Sequence, residues 1–189
     1  MPGIDYDLEF LEDGRTIELI SIGMVCDDGR EYYAVSADLG ARTWSGRRLR
    51  RRIRQHGWLM ANVIPGLPQA HGDWRNHMPQ SWLFNYEDPA VKPRAQIADE
   101  VMDFIRAAGP NVQLWANYGA YDHVALAQLW GRMIDLPEGV PMFTNDIQQE
   151  RSRLGLAWDD LPQQESGEHN ALADARHNQT VRRWLAERA

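Results

Sequence analysis

The chain has 189 residues, a single cysteine (Cys26) and a formal net charge of −7. Its 43% hydrophobic and 25% charged content suit a soluble domain with a sizeable core and exclude a disordered chain. An intrachain disulfide is impossible, no run of about 18 apolar residues occurs, and no basic-then-apolar leader opens the chain, so one cytoplasmic domain with no membrane contact is expected.

In chain order, residues 4–10 alternate apolar and acidic side chains, the period of a strand with its acids on one face. The Asp-Gly pair at 13–14 signals a turn. Residues 16–26 are apolar and β-branched, as in a strand buried on both faces. Asp27–Gly29 is a second turn and residues 30–36 a third strand, completing an antiparallel meander. Leu49, Ile53, His56, Met60 and Val63 make a helical stripe, which Gly57 weakens. Residues 64–93, with Pro65, Pro68, Pro79, Pro89 and Pro93 among Trp74, Trp82, Phe84 and Tyr86, read as an irregular excursion ordered by its aromatics. Residues 94–108 have helical spacing, 111–117 form a strand, and 120–133 a helix. A short strand is expected near 140–143 and a helix near 145–153. Residues 170–188 form the final helix.

This order predicts an α/β fold of the ribonuclease H type: a mixed five-stranded sheet, its three antiparallel strands first, flanked by helices. The whole chain is expected to be one such domain, with a divergent Arg/Trp/Pro-rich stretch at about residues 41–93. Seven of the nineteen arginines lie between Arg42 and Arg54 with no acid among them, against a single lysine, Lys92. That cluster reads as a solvated helix face, as a phosphate-binding surface or as a contact with a second subunit. Trp44, Trp58, Trp74 and Trp82 are expected in the core or at an interface, because a tryptophan buries so much area.

Asp7 and Glu9 are two apart on a strand, so they share a face about 6.6–6.8 Å apart. Two ionised carboxylates that close need a cation between them, or else an exposed face where both meet water. Asp122 opens the helix after the fourth strand. It reads as an N-cap, or as an acid on the buried stripe that continues through Leu126, Leu129, Trp130 and Met133. His169 and Asp174, five apart, diverge if both are mid-helix. They converge if Asn170 caps the last helix and His169 precedes it; otherwise they are surface residues. Asp5 shares the face of Asp7 and Glu9 but is read as capping the start of the strand and is left out of the site. Taken together, several carboxylates and a histidine suit a pair of Mg²⁺ or Mn²⁺ ions about 3.5–4 Å apart, with the histidine accepting a proton from water.

The strings YDLEF, DGRTIELISIGMV, DGREYYAVS, WANYGAYDHVALAQLWG and HNALADAR resemble the DEDDh 3′–5′ exonucleases, most nearly the actinobacterial exoribonuclease AS type. The resemblance implies a metal-dependent exoribonuclease that acts on RNA with a single-stranded 3′ end and releases nucleoside 5′-monophosphates. It implies two metal ions held by Asp7, Glu9, Asp122 and Asp174, His169 as general base, and Leu8 and Phe10 against the terminal nucleotide. It also implies a homodimer. The stretch at about 41–93 departs from the family pattern.

Three other functions fit parts of this pattern. GIDYDLE also resembles the acidic strand of chitinase-type glycosidases, but that reading needs a barrel of about 250 residues with βα units before the motif. A 3′–5′ exodeoxyribonuclease of the proofreading type has the same acids, because the sugar is read by contacts elsewhere. A non-catalytic nucleic-acid-binding domain on this fold is expected to lack some of the carboxylates or His169, and all are present.

Overall fold

The computed structural model describes residues 1–40, 43–69, 82 and 84–189. Its sheet has the strand order β4-β3-β2-β1-β5-β6. The meander is β1 (Gly3–Glu12), β2 (Ile17–Cys26) and β3 (Glu31–Ser36), all antiparallel. β5 (Gln113–Ala116) lies parallel to β1, and two-residue strands β4 (Val91–Lys92) and β6 (Asn145–Asp146) extend the edges. The meander-first mixed sheet is as expected, with six strands among the described residues rather than five. β4 and β6 are too short to show any periodicity. β6 replaces the strand expected at 140–143, where Pro141 offers no backbone donor.

The helices are α1 (Trp44–Gln55), α2 (Gly57–Asn62), α3 (Arg94–Ala107), α4 (Ala120–Ala127), α5 (Ile147–Arg153) and α6 (Ala171–Ala186). The stripe from Leu49 to Val63 proves to be two helices. Leu49, Ile53, Met60 and Val63 are buried, but His56 is exposed and caps α2, its Nδ1 accepting from the Leu59 amide at 3.3 Å. α4 stops well before Met133, which is 56% exposed. Arg94 donates to the Gln128 carbonyl at the end of α4, and Gly131 then turns the chain with φ 107°.

One core cluster packs α3 and α4 on the even-numbered side of β1, through Ile4, Tyr6, Leu8, Ile97, Ile105 and Leu126. A second packs α1 and α2 with Ile20, Val35, Phe84 and Trp82. Trp82 is thus a core-packing residue, as expected. Trp44 and Trp58 are not, at 73% and 50% exposed. Trp74 and Arg42 lie outside the described residues.

α6 crosses the odd-numbered side of β1, and a glycine sets how closely. Gly23, opposite Asp7 in the ladder, lies under the first turn of α6; a Cβ there would stand 2.3 Å from the Ala171 backbone. The bare backbone lets the helix carrying Asp174 settle onto the strand carrying Asp7.

Asp5 corrects the sequence reading. It is fully buried, and Arg182 of α6 grips it through Nε and Nη2, both at 2.8 Å. Arg182 also reaches Asp27, whose other oxygen accepts from the Gly3 amide. Asp5 therefore fastens α6 to β1 instead of capping a strand. Burial holds its carboxyl above the usual range despite the guanidinium. Arg182→Ala strands a buried carboxylate and is expected to cost about 3–5 kcal/mol in urea unfolding. Gly23→Ala is expected to cost about 1–3 kcal/mol from overpacking. A wild-type unfolding midpoint in either variant would contradict this packing.

Candidate active site

β1 forms the floor of a cleft of about 450 Å³, and all five expected catalytic residues line it: Asp7, Glu9, Asp122, His169 and Asp174. Asp7 and Glu9 face α6. Between Glu9 and Phe10 the β1–β2 register shifts, leaving Ile20 of β2 unpaired. Such bulges re-aim side chains beside active sites. Phe10 lines the cleft and stacks on Tyr121, ring centroids 6.4 Å apart. Leu8 also borders the cleft but is only 4% exposed, and its side chain belongs to the core.

Asp122 sits in the first turn of α4 and is buried. Its Oδ1 accepts from the Leu8 amide at 2.9 Å. The β1–β5 pairing covers only Gly3–Asp5, so the Leu8 amide has no strand partner on that edge and Asp122 supplies the acceptor. Asp122 is therefore tied to β1 beside Asp7, on the buried side of its helix.

Asn170 caps α6, its side chain accepting from the Ala173 amide at 3.1 Å. His169 precedes the cap with φ 64°, an uncommon conformation outside glycine. Asp174 holds it there, Oδ2 accepting from the His169 amide at 2.8 Å while Oδ1 accepts from Gln164 at 2.8 Å. The pair five residues apart converges through this cap, as the spacing required. Glu9, His169 and Asp174 each bring one ligand atom within 4.8 Å of the others.

Trp58, Gln164 and an amide chain were missed in the sequence. The Trp58 ring meets the His169 ring edge-on, centroids 4.7 Å apart, and Asn170 donates to the Gly66 carbonyl just beyond α2. Gln148 donates to Asn117 and accepts from Arg151 across the far wall, near Trp158. The Trp58–His169, Asn170–Gly66 and Gln148–Asn117 contacts join segments far apart in sequence, and no local spacing announces them.

The acids strain one another. Burial, joined by the charges of Asp122, Glu9 and Asp174, holds the Asp7 carboxyl well above the usual carboxylate range. Burial, with Asp174 and Asp122, pushes Glu9 up to about 8. Burial pushes Asp122 up to about 7 against the amide bonds it accepts. Burial also raises Asp174, although Gln164 and the His169 amide pull it back.

Residues 3–185 match the family described as Rv2179c-like, the 3'-5' exoribonuclease Rv2179c-like domain. Two curated relatives from Mycobacterium tuberculosis, strains H37Rv and CDC 1551 / Oshkosh, are named 3'-5' exoribonuclease Rv2179c and 3'-5' exoribonuclease MT2234.1. Each is 41% identical over 177 residues, covering 90% of this chain and 85% of the relative. The chain belongs to the Rv2179c-like 3'-5' exoribonuclease family. A structure of S. pombe Pop2p with Mg²⁺ and Mn²⁺ is a looser likeness, with TM-score 0.42 and 12% identity over 98% of this chain and 82% of that one.

The donors in this family member's cleft fit a divalent cation: clustered carboxylate oxygens and one imidazole, the carboxyls held up for want of positive charge. Among the described residues, no helix is long and apolar enough to cross a membrane.

The raised carboxyls set a pH dependence. Their folded values lie above the unfolded ones, about 4, so this contribution to stability is full below about pH 4 and is lost as pH rises toward 8. Metal-free protein is expected to melt at a lower temperature at about pH 8 than at about pH 5. Mg²⁺ or Mn²⁺ is expected to restore more stability at the higher pH, where the carboxylates are ionised. A melting temperature indifferent to both pH and metal would count against the cluster.

Proposed function

We propose that the cleft hydrolyses RNA from a single-stranded 3′ end, one nucleoside 5′-monophosphate at a time, as a DEDDh-type exoribonuclease using two divalent cations. The carrying observation is the convergence of Asp7, Glu9, Asp122, Asp174 and His169 on one cleft. Family membership supports the polarity and the sugar.

Asp7, Glu9 and Asp174 would hold the cations, with Asp122 supporting from α4. Bound there, Mg²⁺ or Mn²⁺ would supply Lewis acidity toward the phosphodiester and make the attacking water more acidic. His169 takes the proton of that water. Its imidazole is kept in reach by the Asn170 cap, the Asp174 bond to its amide and the Trp58 ring. Phe10, on its Tyr121 support, lies against the terminal base or sugar, and Leu8 closes the floor beside it.

Two further properties complete the reading: the protein works as a homodimer and acts in the cytoplasm. The rival on the same fold is a 3′–5′ exodeoxyribonuclease, which uses the same acids and reads the sugar by contacts elsewhere.

The test is a 5′-labelled RNA oligomer and its DNA counterpart, incubated with Mg²⁺, Mn²⁺ or EDTA. A ladder shortening from the 3′ end of RNA, abolished by EDTA, is expected. Asp7→Ala and Asp174→Ala are expected to abolish it. His169→Ala is expected to slow it by roughly 10²–10⁴-fold, the worth of a general base. Near-wild-type turnover in either aspartate variant would overturn the assignment, and preference for the DNA strand would favour the rival.

A further inference from the structure

The outer face of α1 is strongly basic, and the proposed chemistry leaves it unused. Residues 39–72 contain no aspartate or glutamate, in a chain whose net charge is −7. Leu49 and Ile53 turn one side of α1 into the core, leaving Arg47, Arg48, Arg51 and Arg54 exposed on the other. Arg52 pairs with Asp13 and Glu18, and Arg50 donates to the Tyr86 hydroxyl. Among the described residues, Arg47, Arg48 and Arg51 form no ion pair. Trp44, Arg47, Arg48 and Arg51 line one shallow groove, and Arg47, Arg50, Arg51 and Arg54 line the next with Gln55. The shared Arg47 and Arg51 make the two grooves one track.

Each end of the track carries an exposed tryptophan. Trp44 begins α1, and the Arg48 guanidinium lies over its ring, 5.9 Å from the centroid. Trp58 lies four residues beyond Arg54, no more than about 14 Å of extended chain, and touches His169. α1 itself is about 18 Å long. The Arg54 end of the track therefore lies within about 14 Å of the tryptophan that meets the general base.

We propose that this face of α1 binds the sugar-phosphate backbone of single-stranded RNA upstream of the 3′ end held in the cleft, with Trp44 and Trp58 stacking on its bases. The proposal rests on the exoribonuclease reading of the cleft. Arginines three and four apart on a helix stand about 5–6 Å from one another, and each guanidinium can fork onto a phosphate. Arginines interleaved with exposed aromatics are the usual platform for a single strand of any sequence. A second copy of the chain is the weaker occupant, since a two-fold axis through this face would set arginines against arginines.

The test compares a dinucleotide, which the cleft alone can hold, with a single strand of about ten nucleotides. Both are assayed from about 50 to 200 mM salt with wild type and with Arg47→Gln/Arg51→Gln. In the double variant kcat/KM for the longer strand is expected to fall roughly tenfold at low salt. Its logarithmic salt dependence is expected to flatten by about 1.4, or 0.7 for each lost phosphate contact. The dinucleotide rate is expected not to change. Equal losses on both substrates, no loss on the longer one, or a changed sedimentation coefficient with unchanged kinetics would each overturn the track. A wild type inactive on both would instead sink the exoribonuclease reading on which the track rests.

Discussion

Four carboxylates from three separate elements point into one cleft, and their mutual repulsion is the constraint the structure has to satisfy. Asp7 and Glu9 come from the strand at the centre of the sheet, Asp122 from α4 and Asp174 from α6. Among the described residues, those lining that cleft include no guanidinium or ammonium. Burial and like charge together raise the carboxyls, Glu9 to about 8. Such a site is costly when every acid is ionised and alone, and favourable when divalent cations occupy it. The fold must therefore supply the binding energy that keeps the acids together.

It does so with contacts set just outside the cleft. Asp5 lies one strand repeat from Asp7, yet Arg182 neutralises it and locks α6 to β1. Gly23 lets the first turn of α6 press against the sheet beneath Asp7. The Leu8 amide anchors Asp122, and Asp174 bonds the backbone of the histidine it accompanies. Asp5, Arg182 and Gly23 thus fix the packing beside Asp7 and Glu9, while Asp122 and Asp174 are themselves tied to backbone amides at the edge of the cleft. The basic face of α1 stands apart from them, so a polyanion can be drawn to a protein of net negative charge without cations competing for the carboxylates.

Features governed by local chemistry were legible in the sequence. Alternation placed Asp7 and Glu9 on one face of a strand, and Asn170 was readable as the cap that lets His169 meet Asp174, because strand period and capping act over a few residues. Features set by distant partners were not. The role of Asp5 depends on Arg182, 177 residues away. The early end of α4 depends on Arg94, and the two-residue strands β4 and β6 exist only through their neighbours. Trp58 could not be assigned to His169, because only tertiary packing joins α2 to the start of α6. Core or interface was the default expectation for the tryptophans; Trp82 packs against the core, whereas Trp44, under the Arg48 guanidinium, and Trp58, against His169, stand at the surface.

We propose that the acid cluster is a metal centre. Anomalous scattering from crystals soaked in Mn²⁺ tests it most directly, because the ion reports its own position without reference to activity. The expected result is Mn²⁺ density bounded by Asp7, Glu9 and Asp174 that disappears in Asp174→Ala crystals. Density elsewhere on the protein, with none in the cleft at millimolar Mn²⁺, would contradict the account.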